Sequence, residues 1–344
     1  MALPDWSDLA RLSGAELATH DLAVVNLACA AGLPGTVTLD PDRCLATVAS
    51  WAAHVARETE RAKHQFASDR AAFHDSWAYF RVLVLATVLQ EDCGVRYDPA
   101  LVDRDDFFKD AANLFIHGVL AGKGGTCSSL PPLYVAIGRR LGYPLKLVQT
   151  NSHLFARWEE PATSERFNIE CTSRGLNCHG DDYYLNWPVP TTPPEVERCG
   201  WLQSQTPREE LAGFLATRGH CWLDNQRFRD AAAAYAWASS LAPRHSGYAT
   251  CLAATLNDWR THLERAMPPH FPRVTVHLPQ RRFPELAVTR EAEIVHLEVI
   301  EDLLGNPLHQ RDWWAPLWRQ PHVRPPHVPS QITVRDPAAL RSLR

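Results

Sequence analysis

No apolar run in the chain is long enough to cross a bilayer, and no basic stretch followed by an apolar core opens it as in a secretory leader. Positive charge is not in excess either. The 35 Lys and Arg against 39 Asp and Glu leave a formal net charge of −4, so neither a nucleic acid nor an acidic membrane is an expected partner. The nine cysteines are odd in number and scattered, without the paired spacings of a disulfide framework. These absences lead to the expectation of a cytoplasmic protein with reduced thiols. Cys171, Cys178 and His179 lie close together, but no second ligand pair stands at finger-like spacing, so neither a metal nor a cofactor is expected. Strand signals are scarce, and outside residues 145–190 no sheet is expected.

What the chain does have is helix. At 344 residues it can hold two domains, and 45% apolar with 22% charged residues places it among ordinary globular proteins. Ala- and Leu-rich segments with apolar spacing of three and four predict helices over 14–31, 41–66 and 76–92, with a further one over 106–120. Trp51, Val55, Phe73, Trp77, Phe80 and Leu83 are the expected core of the first three. From 207 the pattern is helical again, through 243 and then over 246–266. Residues 268–284 are broken by proline and arginine, and one more helix is expected over 285–304. The segment 305–344, rich in Pro and Trp, reads as irregular.

Chemistry concentrates in residues 122–158. Gly122, Gly124 and Gly125 lead into Cys127, and Leu130, Leu133, Tyr134, Ile137 and Leu141 then repeat with helical period. Gly142 and Pro144 stop that helix, and Leu145–Thr150 reads as a strand. Further strands start at His153 and cover Phe167-Asn168-Ile169-Glu170. A cysteine at a helix N-terminus gains from free N–H groups and the partial positive charge there, which favour thiolate. A histidine on a neighbouring strand can take its proton, and a carboxylate can fix the imidazole tautomer. Asn113 and Asn151 are candidates to join the Cys127 N–H in an oxyanion hole. Arg139-Arg140, at the end of the helix, complements its dipole.

The sequences Gly125-Thr126-Cys127-Ser128-Ser129-Leu130, Arg139-Arg140-Leu141-Gly142-Tyr143-Pro144, His153-Leu154-Phe155 and Phe167-Asn168-Ile169-Glu170 resemble the transglutaminase-like superfamily. They are closest to a bacterial branch that joins this core to tetratricopeptide-type helices. Tyr97-Asp98-Pro99 and Asn113-Leu114-Phe115-Ile116-His117 also look like the lead-in of that branch. The resemblance implies Cys127 as nucleophile, His153 as general base and then acid, and Glu170 as the orienting carboxylate. The superfamily usually places Asp at the third position; Glu is longer by a methylene, which leaves Asp181 or Asp182 as alternative partners for the histidine. Gly219, Trp222, Phe228, Ala231, Ala232, Tyr235, Ala238, Leu241 and Pro243 resemble one tetratricopeptide repeat.

The resulting expectation is an α+β, mostly helical protein. A papain/transglutaminase-like core over 95–194, with Cys on a helix packed on a small antiparallel sheet, follows an N-terminal helical region (1–94). A helical region resembling tetratricopeptide repeats (207–304) comes after it. The function implied is acyl transfer from an amide or peptide bond through a thioester, with a peptide or protein as substrate. Hydrolysis by a peptidase or amidase is preferred to amine transfer. The alternative is a non-catalytic scaffold whose repeat-like helices bind a partner protein.

Overall fold

The computed structural model describes residues 2–37 and 39–266, with two short strands at 274–276 and 332–334. The expected helix over 285–304 and most of the Pro/Trp-rich segment lie outside the described residues.

Local capping chemistry sets the N-terminal helices. α1 (Trp6–Leu9) and α2 (Gly14–Leu17) are single turns started by Asp5 and by a Ser13–Glu16 capping box. The helix expected over 14–31 is in fact two, because the Asp21 carboxylate accepts the Ala23 N–H at 2.7 Å and starts α3 (Leu22–Ala30). α4 (Pro41–Ser68) begins at an Asp40 cap with Pro41 in its first turn, and it buries Cys44, Val48, Ala52, Val55, Thr59 and Ala62 along one face. α5 (Trp77–Thr87) packs on α4 and runs into a wider turn, Val88–Asp92. Val55 and Phe80 are core as expected, whereas Trp77 is 38% exposed and stacks on Phe80 from outside.

The single helix expected over 106–120 does not form. After α6 (Pro99–Val102) the chain makes two tight turns, Phe107–Lys109 and Ala111–Asn113, before the short α7 (Ile116–Leu120). Asp110 caps the second turn through the Ala112 N–H at 2.8 Å, and the Asn26 carbonyl oxygen accepts the Ile116 N–H at 3.1 Å. Polar groups from the chain itself and from α3 thus take bonds that a continuous helix would have made.

α8 (Leu130–Arg140) is the central helix, buried from Leu130 through Gly138. Burying Leu133, Tyr134 and Ile137 stabilises the fold by roughly 1.5–3 kcal/mol each. It packs against α3, α4 and α5 and against the sheet. That sheet is an antiparallel meander of β1 (Leu145–Thr150), β2 (His153–Glu160) and β3 (Glu165–Ile169). Its register pairs Thr150 with His153 and Ala156 with Ile169. Leu147, Ala156, Trp158 and Ile169 face the main core. The other face carries Val148 and Phe155, which pack with Tyr184 and Leu202 in a second cluster. Tyr184 comes from α9 (Asp181–Asn186), and α10 (Pro193–Cys199) follows. The outer edge of β1 is covered by main-chain bonds from Leu202 to Gln149 and from Gln205 to Leu147, both 2.9 Å.

α11 (Pro207–Asp224), α12 (Phe228–Leu241) and α13 (Ser246–Ala266) pack in sequence order. At Gly219 a Cβ would come within 2.8 Å of the Tyr235 ring, so only glycine lets α11 and α12 approach this closely. α11 is also tied to the body. Glu210 forms a bidentate pair with Arg139 of α8, at 2.9 and 2.5 Å, and Arg218 donates to the carbonyls of Cys29 and Ala31. A second small sheet, not expected from the sequence, pairs β4 (Val274–Val276) with β5 (Ile332–Val334). Both are triplets dominated by β-branched residues, which suit the pleated sheet. Among the described residues no helix is long and apolar enough to cross a membrane.

Candidate active site

The residues singled out in 122–170 converge at one end of the sheet. Cys127 sits in a turn, 126–129, immediately before the regular helix at Leu130. The Thr126 carbonyl accepts the N–H groups of Ser129 (3.2 Å) and Leu130 (2.9 Å), while the Ser129 hydroxyl accepts the Thr126 N–H (3.0 Å) and the Thr126 hydroxyl accepts that of Ser128 (3.3 Å). Pro131 and Pro132 carry no N–H, so the carbonyls of Cys127 and Ser128 receive no helical bond from them. Side chains therefore hold this turn where main-chain bonds would otherwise do so. Gly125 is needed just before it, since a Cβ there would collide with the Leu130 side chain. The turn's bonds engage the N–H groups of Thr126, Ser128, Ser129 and Leu130 and leave that of Cys127 out of the set.

His153 opens β2 and is buried, as is Glu170, the residue just past β3. The imidazole Nε2–H donates to Glu170 Oε2 at 2.9 Å. Cys127 stands close enough to the same ring to favour its protonated form, and Nδ1 is the ring nitrogen that the Glu170 bond leaves free. Continuing the β2–β3 register places Glu170 opposite Phe155 and diagonal to His153 on the same face. Diagonal neighbours across a sheet are about 7–8 Å apart, a gap that long side chains span. The extra methylene of Glu thus serves to bridge the diagonal.

Four donors converge on the Glu170 carboxylate. His153 and the Tyr184 hydroxyl (3.2 Å) bond Oε2, and the Thr172 N–H (2.8 Å) and hydroxyl (2.5 Å) bond Oε1. Burial disfavours its charge, but the bonds and charge of His153 and the bonds of Thr172 outweigh this and hold its pKa below the ordinary value. Burial likewise disfavours the imidazolium, yet Cys127 beside the ring and the hydrogen bond and charge of Glu170 raise His153 to about 9.

The alternatives fall elsewhere. Asp181 binds Arg157 (2.5 Å) and Asn168 (2.8 Å) on the far side of the second cluster, with Arg166 at 3.2 Å. The Asp182 main-chain carbonyl accepts the Asn186 side chain within α9. Asn113 donates its amide to the Phe107 carbonyl at 3.0 Å, and its own carbonyl accepts the Thr126 hydroxyl at 3.2 Å, so it braces the turn from behind. Asn151 sits in the β1–β2 turn, where its carbonyl oxygen accepts the Ser152 hydroxyl at 3.2 Å.

Two neighbours were not anticipated. Tyr184 bonds Glu170 and stacks on Phe155 with centroids 3.8 Å apart, while Trp187 lies edge-on against the His153 ring at 4.6 Å. Their spacing of three within Tyr183-Tyr184-Leu185-Asn186-Trp187 is the signal that could have found them, since it sets both on one side of a helical turn. Cys127 and His153 open together onto a cleft of about 520 Å³. β1, the 102–108 segment, α11 and Tyr248 of α13 line it with them.

A thiol in the turn that leads into a helix, a strand-borne imidazole and a carboxylate just past the next strand define a papain/transglutaminase-like arrangement on an α+β core. Residues 44–184 match the family model described as the transglutaminase-like superfamily, so this stretch is a domain of that superfamily, with most of α4 and all of α5 inside the matched region. The family suggests a cysteine-dependent enzyme. Among curated proteins the chain is similar to F-box only protein 21 of Homo sapiens, 37% identical over 67 residues, which are 20% of this chain and 10% of that protein. The Mus musculus protein of the same name is 36% identical over 67 residues, with the same shares. The similarity thus spans about a tenth of the length of these relatives. No solved structure matches the chain.

Proposed function

We propose that the chain is a cysteine-dependent enzyme that cleaves an amide or peptide bond through a thioester at Cys127, with water as the second substrate. The observation that carries this reading is the buried His153–Glu170 hydrogen bond, with Cys127 beside the same imidazole and lining the same cleft. The Cys127 sulfur, as thiolate, attacks the carbonyl carbon and forms the C–S bond, and the carbonyl oxygen becomes an oxyanion that the Cys127 N–H stabilises. The His153 proton passes to the leaving nitrogen as the C–N bond breaks. Water then attacks the thioester and gives a proton to His153. The C–S bond breaks to release the acid, and the imidazolium–thiolate pair is restored. Glu170 holds the ring with Nε2–H toward itself throughout. An amine in place of water would give transfer by the same steps, and the resemblance to bacterial hydrolases favours water.

The division into an N-terminal helical region (1–94), a core (95–194) and a helical region from 207 is part of the same proposal. The last of these supplies a cleft wall and a surface for a partner protein. The test is labelling of the full chain with iodoacetamide across pH, with each cysteine mapped by mass. Cys127 should react fastest, and His153→Ala should remove its advantage. Labelling of Cys127 no faster than the exposed Cys178 would refute the enzyme and leave a non-catalytic scaffold.

A further inference from the structure

α11 contributes one stripe to the cleft that Cys127 lines. Glu210, Gly213, Thr217 and His220 follow one another at helical spacings of three and four, Phe214 lies beside them, and all line the cavity. Charge is nearly absent from this wall. Glu210 is 2% exposed and already held by Arg139 through two bonds. His220 is depressed to about 4 by burial, and its Nδ1 lies 2.7 Å from the Tyr235 hydroxyl, so it is neutral near pH 7. Phe107 and Phe108, the latter with its ring 5.1 Å from that of His220, and Leu147 add apolar surface. Arg104 at the mouth is occupied by both oxygens of Asp106 at 2.8 Å, and Asp105 lies out in solvent. The stripe is also open at its centre. A Cβ on Gly213 would meet nothing closer than the Tyr248 hydroxyl at 3.6 Å, so the missing side chain leaves space in the cleft.

We propose that this α11 stripe is the specificity wall of the site, and that it receives an uncharged aliphatic or aromatic side chain beside the bond attacked. The substrate class is then a peptide or acyl amide with an apolar residue next to the scissile bond. This rests on the reading of Cys127 as the nucleophile. A charged side chain would be desolvated against the α11 stripe, whose one carboxylate is already paired with Arg139, which is unfavourable.

The test uses probes that need no knowledge of the substrate. Second-order alkylation rates at Cys127 in the full chain are compared for iodoacetamide, N-phenethyl-iodoacetamide, and iodoacetamides bearing a carboxymethyl or an aminoethyl group. The phenethyl probe should exceed iodoacetamide by roughly tenfold or more, as burial of an aromatic group predicts, and both charged probes should fall below it. Gly213→Ala narrows the cleft by one methyl group and should cut the phenethyl-to-iodoacetamide ratio by about threefold to tenfold. Thr217→Leu, at a half-buried position, is the second variant if the first fails to fold. A phenethyl probe no faster than iodoacetamide, a preference for either charged probe, or a ratio unchanged in the folded variants would overturn the specificity wall while leaving the nucleophile in place. If every probe labels Cys127 no faster than Cys178, the nucleophile and the wall fall together.

Discussion

Replacing Glu170 by Gln is the sharpest test of how the site holds its proton. The carboxylate receives four donors, two on each oxygen. A glutamine has one oxygen and one NH₂, and neither orientation serves. With its oxygen toward Thr172, the NH₂ faces His153 Nε2, which must then be deprotonated, and the ring proton moves to the nitrogen that faces the thiol. With its oxygen toward His153, the NH₂ opposes the Thr172 N–H and leaves a buried donor unpaired. In both cases the imidazolium loses a buried, charge-assisted hydrogen bond worth about 1.5–3 kcal/mol. At about 1.4 kcal/mol per decade, Cys127 alkylation at pH 7 should slow by roughly tenfold to a hundredfold. The His153 titration should move down from about 9 toward its ordinary 6.5. His153→Ala, which removes the proton acceptor altogether, should slow turnover more than Glu170→Gln does. Glu170→Asp should fall between wild type and Gln, since it keeps the charge but loses the reach to the diagonal. The assay is iodoacetamide labelling from pH 5 to 10 with mass mapping. A Glu170→Gln rate within twofold of wild type, or a loss equal to that of His153→Ala, would refute this account of the carboxylate.

Cys127→Ser should abolish turnover and leave stability within about 1 kcal/mol, because the residue is only half-buried and the swap is small; a lost unfolding transition in circular dichroism would mark Cys127 as a packing residue instead. The pair also sets a pH dependence of stability. His153 is raised, so its contribution is full below about 6.5 and is lost as pH rises through about 9, and Glu170 is lowered, so its contribution is full above 4.5 and is lost as pH falls. Urea midpoints should thus pass through a plateau between those limits, and the high-pH decline should be smaller in His153→Gln; an equal decline would assign it to other groups. Arg157 is fully buried, with bonds to Asn168 (2.7 Å), the Leu202 carbonyl (3.0 Å) and Asp181 (2.5 Å). Arg157→Met should cost about 1–3 kcal/mol for each of the two acceptors it leaves without a donor, the Asn168 side-chain oxygen and the Leu202 carbonyl, and a guanidinium chloride midpoint close to wild type would contradict this.

The elements legible in the sequence were those with one dominant signal. α4 and α8 carry a cap or stop residue and an unbroken apolar stripe, and β1 to β3 alternate between their tight turns, so period and punctuation agreed. Reading failed where a polar side chain redirected the backbone. Asp21 divides the 14–31 segment, and Asp110 with Asn26 breaks up 106–120, although the apolar spacing of both is helical throughout. Spacing reports which residues seek the core, whereas a cap is decided by a single carboxylate meeting a single N–H. The Asn113 expectation met the same limit, because the sequence does not show that the Phe107 carbonyl lies within reach of its amide.

The third member of the site shows how topology supplies what composition cannot. From sequence, Glu170 is one methylene too long for its place. The register converts that excess into a fit, because the ladder sets residue 170 opposite Phe155 and leaves His153 one diagonal step away. The same register puts Phe155 between them on one face, where Tyr184 stacks on it and reaches Glu170. Packing of the second cluster and orientation of the carboxylate are therefore one structural problem. A substitution that shifts α9, such as Arg157→Met, should disturb the His153 titration as well as stability.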